Sequence, residues 1–188
     1  MIIVFVVATV MVQSHNFLQL WMGDNFAEHS SVLLMLHITC FSMLAIMSIT
    51  WQMTEGLGFP QFNALTTAIS TIIGVSLMLV LIGSFGTVGV AAARLAGMGT
   101  IFFSIFVVEK WFFKKVQLRF WVGLAINLII AAVSAVVVEY LIVRSLPLSW
   151  PVLVLSVAFG GSMYCLVLWF LNFVTSDEKL LIRQVFSR

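Results

Sequence analysis

The chain has 188 residues, 62% of them hydrophobic and 9% charged, and carries a formal net charge of +2. A water-soluble domain is about half apolar and a quarter charged, so the composition excludes an ordinary soluble fold. The small positive balance, without a long basic run, also excludes a phosphate-tracking groove for nucleic acid.

The polar residues are clustered and leave apolar runs of about 20 residues, enough for a helix to cross a bilayer core of roughly 30 Å. The runs are continuous rather than alternating, which selects helices over a barrel. The expected fold is therefore an all-α polytopic membrane bundle. Six spans are expected in one membrane-embedded unit over 1–188, near 1–20, 32–51, 64–83, 87–108, 120–143 and 150–174.

The first span opens at Met1 with "MIIVFVVATVMVQ". It has no preceding Lys or Arg and no small-residue cleavage site, so it is not a signal peptide. Met1 is then either a natural start or an internal residue of a longer chain. Cys40 and Cys165 fall in apolar runs and read as small buried hydrophobes.

Spans two and three are joined by "QMTEGLGFPQFNA", where Gly56, Gly58 and Pro60 mark a tight inter-helix turn. Glycine reaches backbone angles closed to other residues, and proline pushes the preceding Phe59 out of the helical region. Between spans three and four, "GSFGTVG" lacks the Lys-Ser/Thr of a nucleotide-binding loop and the strand before it. Gly89, Ala93 and Gly97 fall at i, i+4 and i+8, a small-residue stripe that lets a second helix approach closely. The next connection, "EKWFFKKVQLR", mixes bases with aromatic rings and reads as an anchor at the lipid headgroups. Asn127 and Ser134 in span five are expected to hydrogen-bond neighbouring helices.

Basic residues set the orientation. That connection holds Lys110, Lys114, Lys115 and Arg119, and the tail holds Lys179, Arg183 and Arg188, whereas the opposite loops hold only Arg144. The Lys-rich connection and the C-terminus are thus expected on the cytoplasmic side of the cell inner membrane.

Three pieces recur in a fixed order: Leu20-Trp21-Met22-Gly23 before an acidic and aromatic segment, then Gly56 to Pro60, then Gly86 to Ala92. Over about the first 110 residues this order resembles the polysaccharide transporter family of the multidrug/oligosaccharidyl-lipid/polysaccharide exporter superfamily, the oligosaccharide (O-antigen) flippases. The last two spans match it only as generic apolar helices. The resemblance implies a fourteen-helix protein of two lobes, of which this chain is similar to the last six helices. It further implies a missing N-terminal lobe and a cargo of lipid-linked oligosaccharide of the undecaprenyl-pyrophosphate type. In that family both termini are cytoplasmic, the orientation that the loop charges give independently.

Few residues can carry chemistry. Arg94 sits inside the fourth span, at a cost of about 2.5 to 3.5 kcal/mol on insertion scales. It either faces a cavity and attracts pyrophosphate, or snorkels to the headgroups, or pairs with Glu139. Glu139 invites a proton-relay reading, set against structural pairing or solvation near the outer end of span five. His37, at the start of span two, is placed at a cavity mouth or an interface. His15 and His29 have no Cys or carboxylate at ligand spacing, so no metal site is expected. No soluble-enzyme or cofactor motif occurs, and the expectation is a non-enzymatic flippase working by alternating access. The alternatives are a cation-coupled multidrug or metabolite antiporter of the same superfamily, and a non-transporting membrane scaffold subunit.

Overall fold

The computed structural model describes residues 1–171, the side chain of Phe112 excepted. The described part is helical throughout: α1 (Ile2–Met22), α2 (Asp24–Gly56), α3 (Pro60–Met98), α4 (Thr100–Phe112), α5 (Leu118–Ser145) and α6 (Trp150–Phe170). The basic tail residues Lys179, Arg183 and Arg188, and the expected end of the last span at 174, lie outside the described residues.

Among the described residues, five stretches are long and apolar enough to cross a membrane: Ile2–Met22, Asp24–Gly56, Pro60–Trp111, Leu118–Ser145 and Trp150–Phe170. The expectation was six. The difference lies in the third stretch, where the sequence placed two spans and the helical pattern runs on for 52 residues. That stretch is not straight. Gly86 interrupts it with φ 55° and ψ −134°, a conformation that a side chain resists. Ser70 Oγ donates to the Gly97 carbonyl oxygen at 2.8 Å. A straight helix would hold those residues about 40 Å apart at 1.5 Å per residue. The chain therefore reverses at Gly86, and α4 carries the return back until Ser104 Oγ meets Thr66 Oγ1 at 3.3 Å.

The compact packing falls into two units, Met1–Asn16 with the chain from Arg119 onward, and Phe17–Leu118. In the second unit α2, α3 and α4 pack on one another. Gly89, Ala93 and Gly97 are buried along the returning arm of α3. A Cβ at Gly89 would stand 2.5 Å from the Leu81 carbonyl oxygen, and one at Gly97 2.7 Å from that of Ser70. The small stripe is thus the seam of the α3 hairpin.

The turn from α2 to α3 ends the helix by capping its carbonyls. Gly58 adopts φ 82°. Its N–H donates to the Glu55 carbonyl, and the Phe59 N–H to that of Thr54, at 3.0 and 2.9 Å. This is the Schellman pattern, and Pro60 then starts α3 at a position where its missing N–H is not needed. Across the turn Thr54 Oγ1 donates to Asn63 Oδ1 at 2.6 Å, and the Asn63 amide donates to the Trp51 carbonyl at 3.2 Å.

The segment between spans one and two, expected as an outer loop, is helical instead. Gly23 (φ 90°) breaks the chain for one residue, and α2 begins at once with Asp24 in its first turn, where an acid suits the helix dipole. At 33 residues α2 is about 50 Å long, well beyond the hydrocarbon thickness.

The first unit is built from the beginning of α1 with α5 and α6, along three faces of period four. On α5 these are Ala131, Ala135 and Glu139, and on α6 Ser156, Gly160, Tyr164 and Leu168, all buried. On α1 they are Phe5, Thr9 and Gln13. Ala131, Ala135, Tyr164 and Leu168 form the apolar core, with Phe5 packed against it. Tyr164 Oη donates to the Met1 carbonyl at 2.9 Å, and the Phe5 and Tyr164 rings meet at a tilt of 41° with centroids 5.3 Å apart.

Large apolar side chains elsewhere point outward. Ile2 is 78% exposed, Leu79 70%, Val80 72% and Phe170 75%. Each would gain about 1.5 to 3 kcal/mol on leaving water, a gain that a lipid bilayer supplies to helices this long and apolar.

Candidate functional site

Among the described residues, polar side chains meet a cavity in each unit. In the first unit, Glu139 is fully buried at 0% exposure. It stands six residues before the end of α5, about 9 Å from it, and is buried rather than solvated, which speaks against one of the three readings that the sequence left open. Thr9 Oγ1 donates to its Oε1 at 2.7 Å. Its Oε2 is buried and has no hydrogen-bond partner. The room for it comes from α6, where a Cβ at Gly160 would lie 2.5 Å from Oε1 and 2.6 Å from Cγ.

The polar surroundings continue one turn along α1. Gln13 Nε2 donates to Ser156 Oγ at 3.3 Å, and Asn16 Nδ2 donates to Gln13 Oε1 at 3.0 Å. Gln13, Ser14 and Ser156 are all buried, and the Ser14 hydroxyl has no partner. Beside them opens a cavity of about 220 Å³ lined by Val12, Gln13, Asn16, Tyr140, Val143 and Arg144. Arg144 donates to Tyr140 Oη at 3.3 Å on the rim.

In the second unit Arg94 is exposed and borders a cavity of about 300 Å³ with Ser70, Thr71, Gly74, Val75 and Met78. Its guanidinium carbon sits 5.6 Å from the centre of the Phe41 ring, a cation–π contact that steadies the head group while leaving its N–H donors free to turn toward a ligand. Ser70 and Gly74 belong to the seam of the α3 hairpin, so the hairpin itself supplies the wall opposite Arg94.

Arg94 and Glu139 thus belong to different units, and each finds its partner within its own: Phe41 for one, Thr9 for the other. The pairing of the two offered by the sequence is not made at the carboxylate. His37 lies near the middle of α2 rather than at its start, is exposed, and donates from Nδ1 to the Leu33 carbonyl at 2.9 Å. Gly56, Gly58 and Pro60 form the α2–α3 turn, and none of them lines the Arg94 cavity. Ser134, expected to bond a neighbouring helix, donates instead to Ala131 of its own helix at 2.7 Å. Cys165 is exposed, and only Cys40 is buried.

Thr9, Gln13 and Ser156 escaped the sequence reading. Their signal was present: Thr9 and Gln13 are one turn apart in a helix otherwise rich in aliphatic residues, and Ser156 stands one turn before a glycine. Among the described residues no three His, Cys, Asp or Glu gather as a metal site. Comparison with protein families, with curated proteins and with solved structures finds no match to this chain.

Proposed function

We propose that the chain is part of a flippase that moves lipid-linked oligosaccharide across the cytoplasmic membrane by alternating access, for cell-surface polysaccharide biosynthesis. The observation that carries this reading is the Arg94 cavity. A guanidinium within a membrane-spanning stretch, beside the hydroxyls of Ser70 and Thr71, offers charge-assisted donors to a pyrophosphate. The reversal at Gly86 supports the reading further, since two arms that each crossed the bilayer would bring the five apolar stretches to the six helices that the flippase resemblance implies.

The test is binding of a polyprenyl pyrophosphate to the full chain in lipid nanodiscs. Arg94→Ala should weaken binding about tenfold or more, the equivalent of one charge-assisted contact, and Arg94→Lys should restore only part of it. Equal binding by all three proteins would refute the role given to Arg94. A second reading, a cation-coupled antiporter, is favoured by one observation, the depth of Glu139.

A further inference from the structure

We propose that Glu139 is a proton-binding site, loaded through the cavity that opens beside Gln13 and Asn16. The inference goes beyond lipid translocation and does not depend on it, because a proton site is testable whatever the chain carries.

Three observations converge on it. The first is the carboxyl group itself, which has one oxygen occupied and one open: Thr9 Oγ1 donates to Oε1, and Oε2 is buried with no donor. An ionised carboxylate calls for donors at both oxygens when water is excluded. A neutral acid carries no charge, so one unpartnered oxygen costs it far less than it would cost the ionised form. The geometry is that of an acid whose carbonyl oxygen is Oε1 and whose hydroxyl oxygen is Oε2.

The second is the identity of the neighbours. From α1 Glu139 meets Thr9, with Gln13 one turn further and His15 exposed. From α6 it meets Gly160, with Ser156 and Tyr164 one turn to either side, and Tyr164 engaged with Met1. On α5 the nearby ionisable groups are Tyr140 and Arg144, both exposed and bonded to each other. No Lys, Arg or His of these helices hydrogen-bonds the carboxyl group. A fixed counter-charge would make Glu139 a structural ion pair; its absence leaves the carboxyl free to exchange a proton.

The third is access. The cavity of about 220 Å³ has room for several waters, each taking about 30 Å³ in the liquid. It ends on Asn16 and Gln13, which are bonded to each other, and Gln13 in turn reaches Ser156. Thr9 lies one turn from Gln13 on the same face of α1. Amide and hydroxyl groups thus run from the cavity to the carboxyl without a charged side chain between. A metal ion suits the place less well, because it needs several oxygen ligands and Gly160 closes tightly on Oε1.

Infrared titration of the full chain in nanodiscs tests the proposal. The wild type should show a protonated-carboxyl C=O band that fades as pH rises and shifts in heavy water. Glu139→Gln, which keeps size and polarity, should remove that band. Thr9→Val should keep the band and move it to higher frequency, because the hydrogen bond to Oε1 is lost. Gln13→Leu should slow the heavy-water shift severalfold. A band that survives in Glu139→Gln would overturn the proposal. So would a Glu139 band that neither titrates nor exchanges, which would make the carboxyl a static packing element, and so would a wild type without the band.

Discussion

Glu139 and Gly160 show how much one missing side chain can matter. With no Cβ on α6, the carboxyl group of α5 has a place inside the bundle; with one, a methyl would sit 2.5 Å from Oε1. Gly160→Ala is therefore expected to lower stability by about 1 to 3 kcal/mol, the usual cost of overpacking. The loss should be relieved when Glu139 is shortened to Ala in the same molecule, as thermal unfolding of the four proteins of a double-mutant cycle will show. Additive losses would place the damage elsewhere. Only half of this pair was legible beforehand. A carboxylate in an aliphatic run announces itself by its cost in lipid, whereas the glycine that receives it looks like any small residue of a packed helix. Thr9 and Gln13 were hidden for a related reason: neither is costly enough to break an apolar run, and their shared face appears only when α5 and α6 are set against it.

At the scale of elements, α3 carries the main lesson. The sequence separated two spans around residues 83–87, and the chain turns at Gly86, within that interval, with helix directly on both sides and no loop between the arms. Tertiary contacts tell the two descriptions apart. Thr66 and Ser104, with their hydroxyls 3.3 Å apart, should form a disulfide when both are replaced by Cys in a background of Cys40→Ala and Cys165→Ala. Oxidant-induced mobility shifts in gel electrophoresis would report it, and failure to cross-link under conditions that join an adjacent control pair would unfold the hairpin into a rod. The α1–α2 junction ran the other way. Its polar residues, Asp24, Asn25, Glu28 and His29, read as loop because they are charged or hydrophilic. They lie in the first turns of α2, which at about 50 Å is longer than the bilayer is thick, so that a helix emerging into water carries such residues at its end.

For the whole molecule the open quantity is direction across the membrane. Lys110, Lys114 and Lys115 surround the end of α4, and Asn25 lies at the far end of α2 from the Gly58 turn. The excess of basic residues predicts that a cysteine at Asn25 labels with a membrane-impermeant maleimide added outside intact cells, and that one at Lys114 labels only after permeabilisation. The reverse pattern would invert the topology and remove the agreement between loop charge and the flippase resemblance.

The division of the chain also has a consequence in time. The unit formed by Phe17–Leu118 is continuous, so a chain leaving the ribosome has all of its parts once Leu118 is made. The other unit is interrupted by that whole stretch. Its α1 portion has no partner helix from its own unit until α5 and α6 are made. Stalling synthesis between the two events should catch a chain whose first helix is made but not yet paired within its own unit.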